Sequence, residues 1–126
     1  MWYKLLLVGA GGFLGSVSRY LASGAVHRLL KNPWFPYGTL SVNVLGCFLI
    51  GLLGGVAESR QLFSPEVRLL VFLGFLGGFT TFSTFGYEVF SFARDGQLAA
   101  AGLNIVLHLL LGLAAVWGGL VFSKIW

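Results

Sequence analysis

The chain is short of nearly everything a soluble enzyme uses. Charged side chains make up 10% of its 126 residues, against roughly 25% in a soluble domain. A water-facing surface cannot be built from so few, so a soluble globular domain is excluded. The single cysteine, Cys47, rules out an internal disulfide and a thiolate metal cluster. No second histidine, cysteine or carboxylate stands at metal-ligand spacing to His108, and no nucleophile–base pair is evident. Enzyme chemistry has no footing. The prolines, Pro33, Pro36 and Pro65, all fall in connections, and no linker or low-complexity segment occurs. The first apolar run lacks a small-residue cleavage site followed by a soluble domain, so it reads as a span and not as a signal peptide.

What is present is apolar: 57% of the residues are hydrophobic, with a mean hydropathy of +0.89. The pattern predicts an all-α integral membrane protein, one domain over residues 1–126, with spans at about 3–26, 38–57, 66–93 and 96–123. Each is near the roughly 20 residues a helix needs to cross the hydrocarbon core. Only Lys4 and Arg19 are charged in the first span, and none in the second. The third is uncharged from Leu69 to Tyr87, with Glu88 following, and the fourth holds only His108 as a titratable group. Lys31 to Pro36 forms a loop with interfacial aromatics. Ser64-Pro65-Glu66 reads as an N-cap with proline at the first helical position, and Arg94-Asp95-Gly96 as a tight turn.

The net charge of +4 gives no ground for nucleic-acid binding. The basic residues sit at span ends, where they anchor helices at lipid headgroups. Four spans put both termini on one side, with Lys4, Arg60, Arg68 and Lys124. Arg28, Lys31 and Arg94 lie on the other. A difference of one barely orients a chain, leaving a weak single orientation and insertion both ways as the two readings.

Nineteen glycines are the next signal. Small residues let membrane helices approach closely, and packing accounts for most of them. Val8-Gly9-Ala10-Gly11-Gly12-Phe13-Leu14-Gly15 is not a dinucleotide-binding turn: Leu14 occupies the third glycine position, and no strand–helix alternation follows.

One stretch stands apart: Gly74-Phe75-Leu76-Gly77-Gly78-Phe79-Thr80-Thr81-Phe82-Ser83-Thr84-Phe85. Gly77-Gly78 weakens a helix where the apolar run continues, so the third span is expected to break near its middle. Irregular backbone at membrane depth must be buried in protein or line a cavity. Phe82 and Phe85, three apart, share a face and present the positive edges of their rings. Ser83 and Thr84 offer hydroxyls and Asn43 an amide donor. Freed carbonyls at a break can hold a cation. Either this is a polar–aromatic packing seam or it is a path for a small anion. Arg19 either snorkels to a headgroup or sets a positive vestibule. Glu88 reads as a helix end, and His108 as a buried histidine bonded to a neighbouring helix.

Gly12-Phe13-Leu14-Gly15 with Arg19-Tyr20, then Gly38-Thr39-Leu40-Ser41-Val42-Asn43, then the Gly74–Phe85 stretch resemble the Fluc (CrcB) fluoride channels in length, span number and motif order. The resemblance implies an antiparallel, dual-topology homodimer in the cell membrane with two fluoride pores, each lined by both subunits. It implies fluoride contacts at Phe82 and Phe85, a polar track at Ser83 and Thr84, the second-helix amide at Asn43 and a vestibule arginine at Arg19. Fourth-helix lining falls on Asn104 and His108. A structural sodium ion is implied at the dimer interface, on the backbone carbonyls of Gly77 and Thr80. The implied function is passive fluoride export: hydrogen fluoride enters from acidic surroundings, ionises in the cytoplasm, and the trapped anion leaves through the channel. The alternative, a small multidrug-type four-span transporter, matches in size only. Such proteins depend on a carboxylate in the first span, and here that span has Arg19 and no acid.

Overall fold

The computed structural model of the chain describes residues 1–125, and every regular element in it is helical. Four helices are long and apolar enough to cross a membrane: α1 (Trp2–Leu29), α2 (Tyr37–Arg60), α3 (Pro65–Arg94) and α4 (Leu98–Ser123). The chain itself buries only between 11% and 33% of each apolar stretch. Most of each helix is thus left for lipid or another chain.

The helix ends follow local chemistry. Lys31, at φ 56°, closes α1 with its N–H on Arg28 O, while the Asn32 N–H reaches back to His27 O. Gly96, at φ 78°, closes α3 the same way: its N–H bonds Ala93 O and the Gln97 N–H bonds Phe92 O. Both are six-to-one helix terminations that a left-handed residue makes possible. Ser64 starts α3, its Oγ accepting from the Val67 N–H at 3.3 Å, with Pro65 next.

α1 lies along the first half of α3, and α2 along α4. Glycine sets both approaches. A Cβ at Gly11 or Gly15 would run into the Leu70 and Phe75 carbonyls, and one at Gly78 would stand 2.7 Å from Gly12 O. A Cβ at Gly51 or Gly119 would strike the backbone of the facing helix. Gly9, Gly54, Gly77, Gly102 and Gly118, by contrast, have open space where a Cβ would be. Packing within one chain therefore explains only part of the glycine content. Between the α1–α2 and α3–α4 connections, Phe35 is 1% exposed and clusters with Trp34, Tyr37 and Phe92 at 5.0–6.1 Å.

α3 is not one regular helix. It starts as an α turn (Pro65–Arg68), widens into a π-helix (Leu69–Leu76), and returns to α over Gly77–Phe79. Thr80 and Thr81 are extended, at φ −87°, ψ 157° and φ −148°, ψ 113°, and an α-helix resumes over Phe82–Arg94. The break thus falls at Thr80–Thr81 and not at Gly77–Gly78. Both glycines are helical; the missing side chain of Gly78 serves the approach to α1, while Gly77 has open space beside it. What stops the helix is a competing partner for the Thr81 backbone.

Candidate functional site

That partner is Asn43 of α2. Its Oδ1 accepts from the Thr81 N–H at 2.8 Å, and its Nδ2 donates to Thr81 O at 3.0 Å. A carboxamide offers one acceptor and one donor side by side, the same pattern a neighbouring backbone would offer. The broken helix is thereby satisfied by a side chain at membrane depth, where no water is at hand. Thr81 then caps the second half: its Oγ1 accepts from the Thr84 N–H at 3.2 Å and donates to Thr84 Oγ1 at 3.0 Å.

These bonds leave two carbonyls without their in-helix donors. In a continuous helix the Thr81 N–H would serve Gly77 O, and the Thr84 N–H would serve Thr80 O. The first goes to Asn43 and the second to the Thr81 hydroxyl. Gly77 is exposed and Thr80 half-buried. The Thr80 side chain is used elsewhere: its Oγ1 donates to Leu76 O at 2.9 Å.

The second hydrogen of Asn43 Nδ2 points to His108 Nε2 at 3.1 Å, and His108 Nδ1 lies 3.1 Å from Asn104 O. The backbone fixes the roles along this row. Because Thr81 N–H must donate, its partner on Asn43 is the oxygen, so the atom facing His108 is the amide nitrogen. That nitrogen only donates, so His108 Nε2 accepts and carries no proton. The ring hydrogen is on Nδ1 and goes to Asn104 O. The His108 ring also lies against Phe85, with centroids 4.2 Å apart, and Phe85 meets Phe82 at 5.7 Å and 59°.

Two cavities flank the break, and Thr81 borders both. One, of about 410 Å³, is lined by Asn43, Gly77, Thr80, Phe82, Phe85 and His108 among others. The other, of about 450 Å³, is lined by Arg19, Ser23, Thr39, Thr84 and neighbours from three helices. Asn43, Thr81, Phe85 and His108 are therefore brought together, with Arg19 on the far side of Thr81. Phe82 is 83% exposed on the outer face, and Ser83 and Thr84 are exposed beside it. Asn104 lines neither cavity; it is wholly buried beside the Glu88 carboxylate, which accepts from Thr39 Oγ1 at 2.5 Å.

Sequence reasoning marked Thr81 only as one polar residue of the stretch and assigned no role to it or to Thr39. Thr81 had a legible signal, since Thr-x-x-Thr after a glycine pair is a helix restart with its own cap. Thr39 had none, because its partner Glu88 lies 49 residues away.

A profile of the family described as CrcB-like protein, Camphor Resistance (CrcB), matches residues 6–120. The chain is 49% identical over 123 residues to a protein of Chlorobaculum tepidum named fluoride-specific ion channel FluC; the match covers 98% of this chain and 96% of that protein. Proteins of the same name from Geobacter sulfurreducens and Chlorobium phaeobacteroides are 45% and 43% identical. Those matches cover 95% and 97% of this chain, and 96% and 94% of the relatives.

Proposed function

The chain belongs to the CrcB-like family, and from that premise we propose that it is a fluoride channel working as an antiparallel homodimer in the cell membrane, through which fluoride leaves the cytoplasm passively. It is a multi-pass membrane protein and not an enzyme. The observation that carries the reading is the break in α3. Gly77, Phe82, Ser83 and Thr84 are exposed at mid-span, next to carbonyls that have lost their donors. Polar backbone cannot face hydrocarbon, so this face needs protein or an aqueous path against it, and a second copy of the chain supplies both.

In that assembly an anion leaves the vestibule at Arg19, passes the Thr84 and Ser83 hydroxyls, and meets the ring edges of Phe82 and Phe85. None of these groups but Arg19 carries a full charge, which keeps binding strong enough to admit the ion and weak enough to release it. The carbonyls of Gly77 and Thr80 fit a sodium ion, since they are neutral oxygens freed by unwinding. A sodium ion held by those carbonyls would supply positive charge beside the break.

Purified protein in fluoride-loaded vesicles tests the reading. Fast fluoride efflux, independent of a proton gradient and absent for chloride, is expected. Efflux no faster than from empty vesicles, or equal efflux of chloride, would overturn it.

A further inference from the structure

We propose that His108 is a positioning residue: as a neutral imidazole it holds the Asn43 amide against the α3 break, and its protonation shuts the conducting geometry, making the channel acid-sensitive. The inference rests on the channel reading above and goes beyond it. Its basis is the row Asn104 O, His108, Asn43, Thr81, in which every donor and acceptor role is fixed by the backbone groups at its two ends.

The neutral ring suits this row in one tautomer only. A proton added to Nε2 would set an N–H against the Asn43 Nδ2 hydrogens, donor facing donor at 3.1 Å. Turning the amide over does not relieve this. It would put the nitrogen against the Thr81 N–H and the oxygen against Thr81 O, spoiling both bonds that hold the break. The Nδ1 side cannot compensate, because its hydrogen is already placed on Asn104 O. Protonation therefore moves either the ring away from Asn43 or the amide away from Thr81. Phe85 is disturbed with the ring, since the two are in contact at a 35° tilt with centroids 4.2 Å apart.

Electrostatics acts in the same direction. An imidazolium in the cavity that Phe82 and Phe85 line is a full charge where the route otherwise has none. It would bind an anion strongly and delay its release. The other titratable groups that face His108 are Cys47 of α2, in the same cavity, and Glu88 of α3, one turn beyond Phe85 and engaged by Thr39. Arg19 and His27 of α1 border the separate cavity beyond Thr81.

The test measures fluoride current across planar bilayers, because hydrogen fluoride is neutral and carries none. Current through the unmodified protein is expected to fall by about fivefold or more between roughly pH 7.5 and 4.5, about what a lost hydrogen bond amounts to, the window reaching well into acid because the row resists the added proton. His108→Leu, with no acceptor for Asn43, is expected to conduct poorly at both values. In His108→Gln the side-chain oxygen takes the place of Nε2. It should recover much of the current lost in the leucine variant and hold it in acid. Nitrogen-15 spectra should show His108 with its proton on Nδ1 at neutral pH. A flat pH profile for the unmodified protein, or an unchanged acid drop in His108→Gln, overturns the proposal while leaving the channel reading intact. No fluoride current at neutral pH would instead remove the channel reading itself.

Discussion

Asn43 shows how much one side chain at membrane depth can carry. Three of the four hydrogen-bonding positions of its amide are used, two on Thr81 and one on His108. Asp at the same position keeps the size and one acceptor but loses both donated bonds, leaving Thr81 O and His108 Nε2 facing an oxygen. An unsatisfied buried group costs about 1–3 kcal/mol. Asn43→Asp is therefore expected to lower the melting temperature as well as abolish fluoride flux; lost flux with an unchanged melting temperature would show that Asn43 serves the ion and not the break. The phenylalanines separate the two effects differently. Phe82 is 83% exposed in the single chain, so Phe82→Leu removes almost no contact from the monomer fold. It does remove the ring edge, and leucine has no quadrupole to replace it. Flux through Phe82→Leu is expected to drop roughly tenfold, the factor that about 1.4 kcal/mol of barrier gives, in protein that purifies and melts like the original. Normal flux would move the anion path off this ring.

At the scale of elements, the sites where helices touch are set by missing atoms. A Cβ at Gly46 of α2 would collide with the Thr80 methyl, and that methyl cannot turn away while Thr80 Oγ1 donates to Leu76 O. Gly46→Ala should consequently spread α2 from the break and lower stability. Thr80→Ser removes the methyl but keeps the hydroxyl and the carbonyl, so the double variant Gly46→Ala, Thr80→Ser should recover most of what the single one loses. Thermal melts of the four proteins give the coupling directly, and additive losses would mean that the two residues do not meet. The same geometry explains what could be read in advance. Four apolar runs with bounding Ser64-Pro65 and Gly96 are local signals, and the helices follow them. The break was legible as an event, from polar residues in an apolar run, but its position was not. Glycines mark where helix is weak, whereas Thr80–Thr81 unwinds because Asn43, 38 residues away, captures its N–H. The π-helical turn over Leu69–Leu76 likewise carries no signal in LLVFLGFL that distinguishes it from an ordinary span. Phe82, Phe85 and Asn43 could be picked out as polar or aromatic oddities. Their link through His108 needed the fold.

For the whole molecule the deciding quantity is charge at the two ends of the bundle. Lys4 begins α1, Arg60 ends α2, Arg68 lies in the first turn of α3 and Lys124 follows α4. Together they face one side against Arg28, Lys31 and Arg94 on the other. The positive-inside bias acts on that difference, and a difference of one orients a chain only weakly. An antiparallel pair needs such a balance, because each copy must meet one inserted the other way. Two lysines added beside Lys4 raise the difference to three and should hold the N-terminus in the cytoplasm. A reporter on the C-terminus would then appear on that side alone, and fluoride efflux should vanish although each chain still folds. Four lysines added instead beside Lys31 make the opposite side richer by three, and the chain should then take the reverse insertion. Neither locked chain alone is expected to conduct. Co-expressed, they supply one copy of each orientation, and efflux should return. A parallel dimer or a conducting monomer predicts the reverse, with full activity from either locked chain by itself, and that result would remove the antiparallel assembly while leaving the α3 break and its Asn43 bracket as they stand.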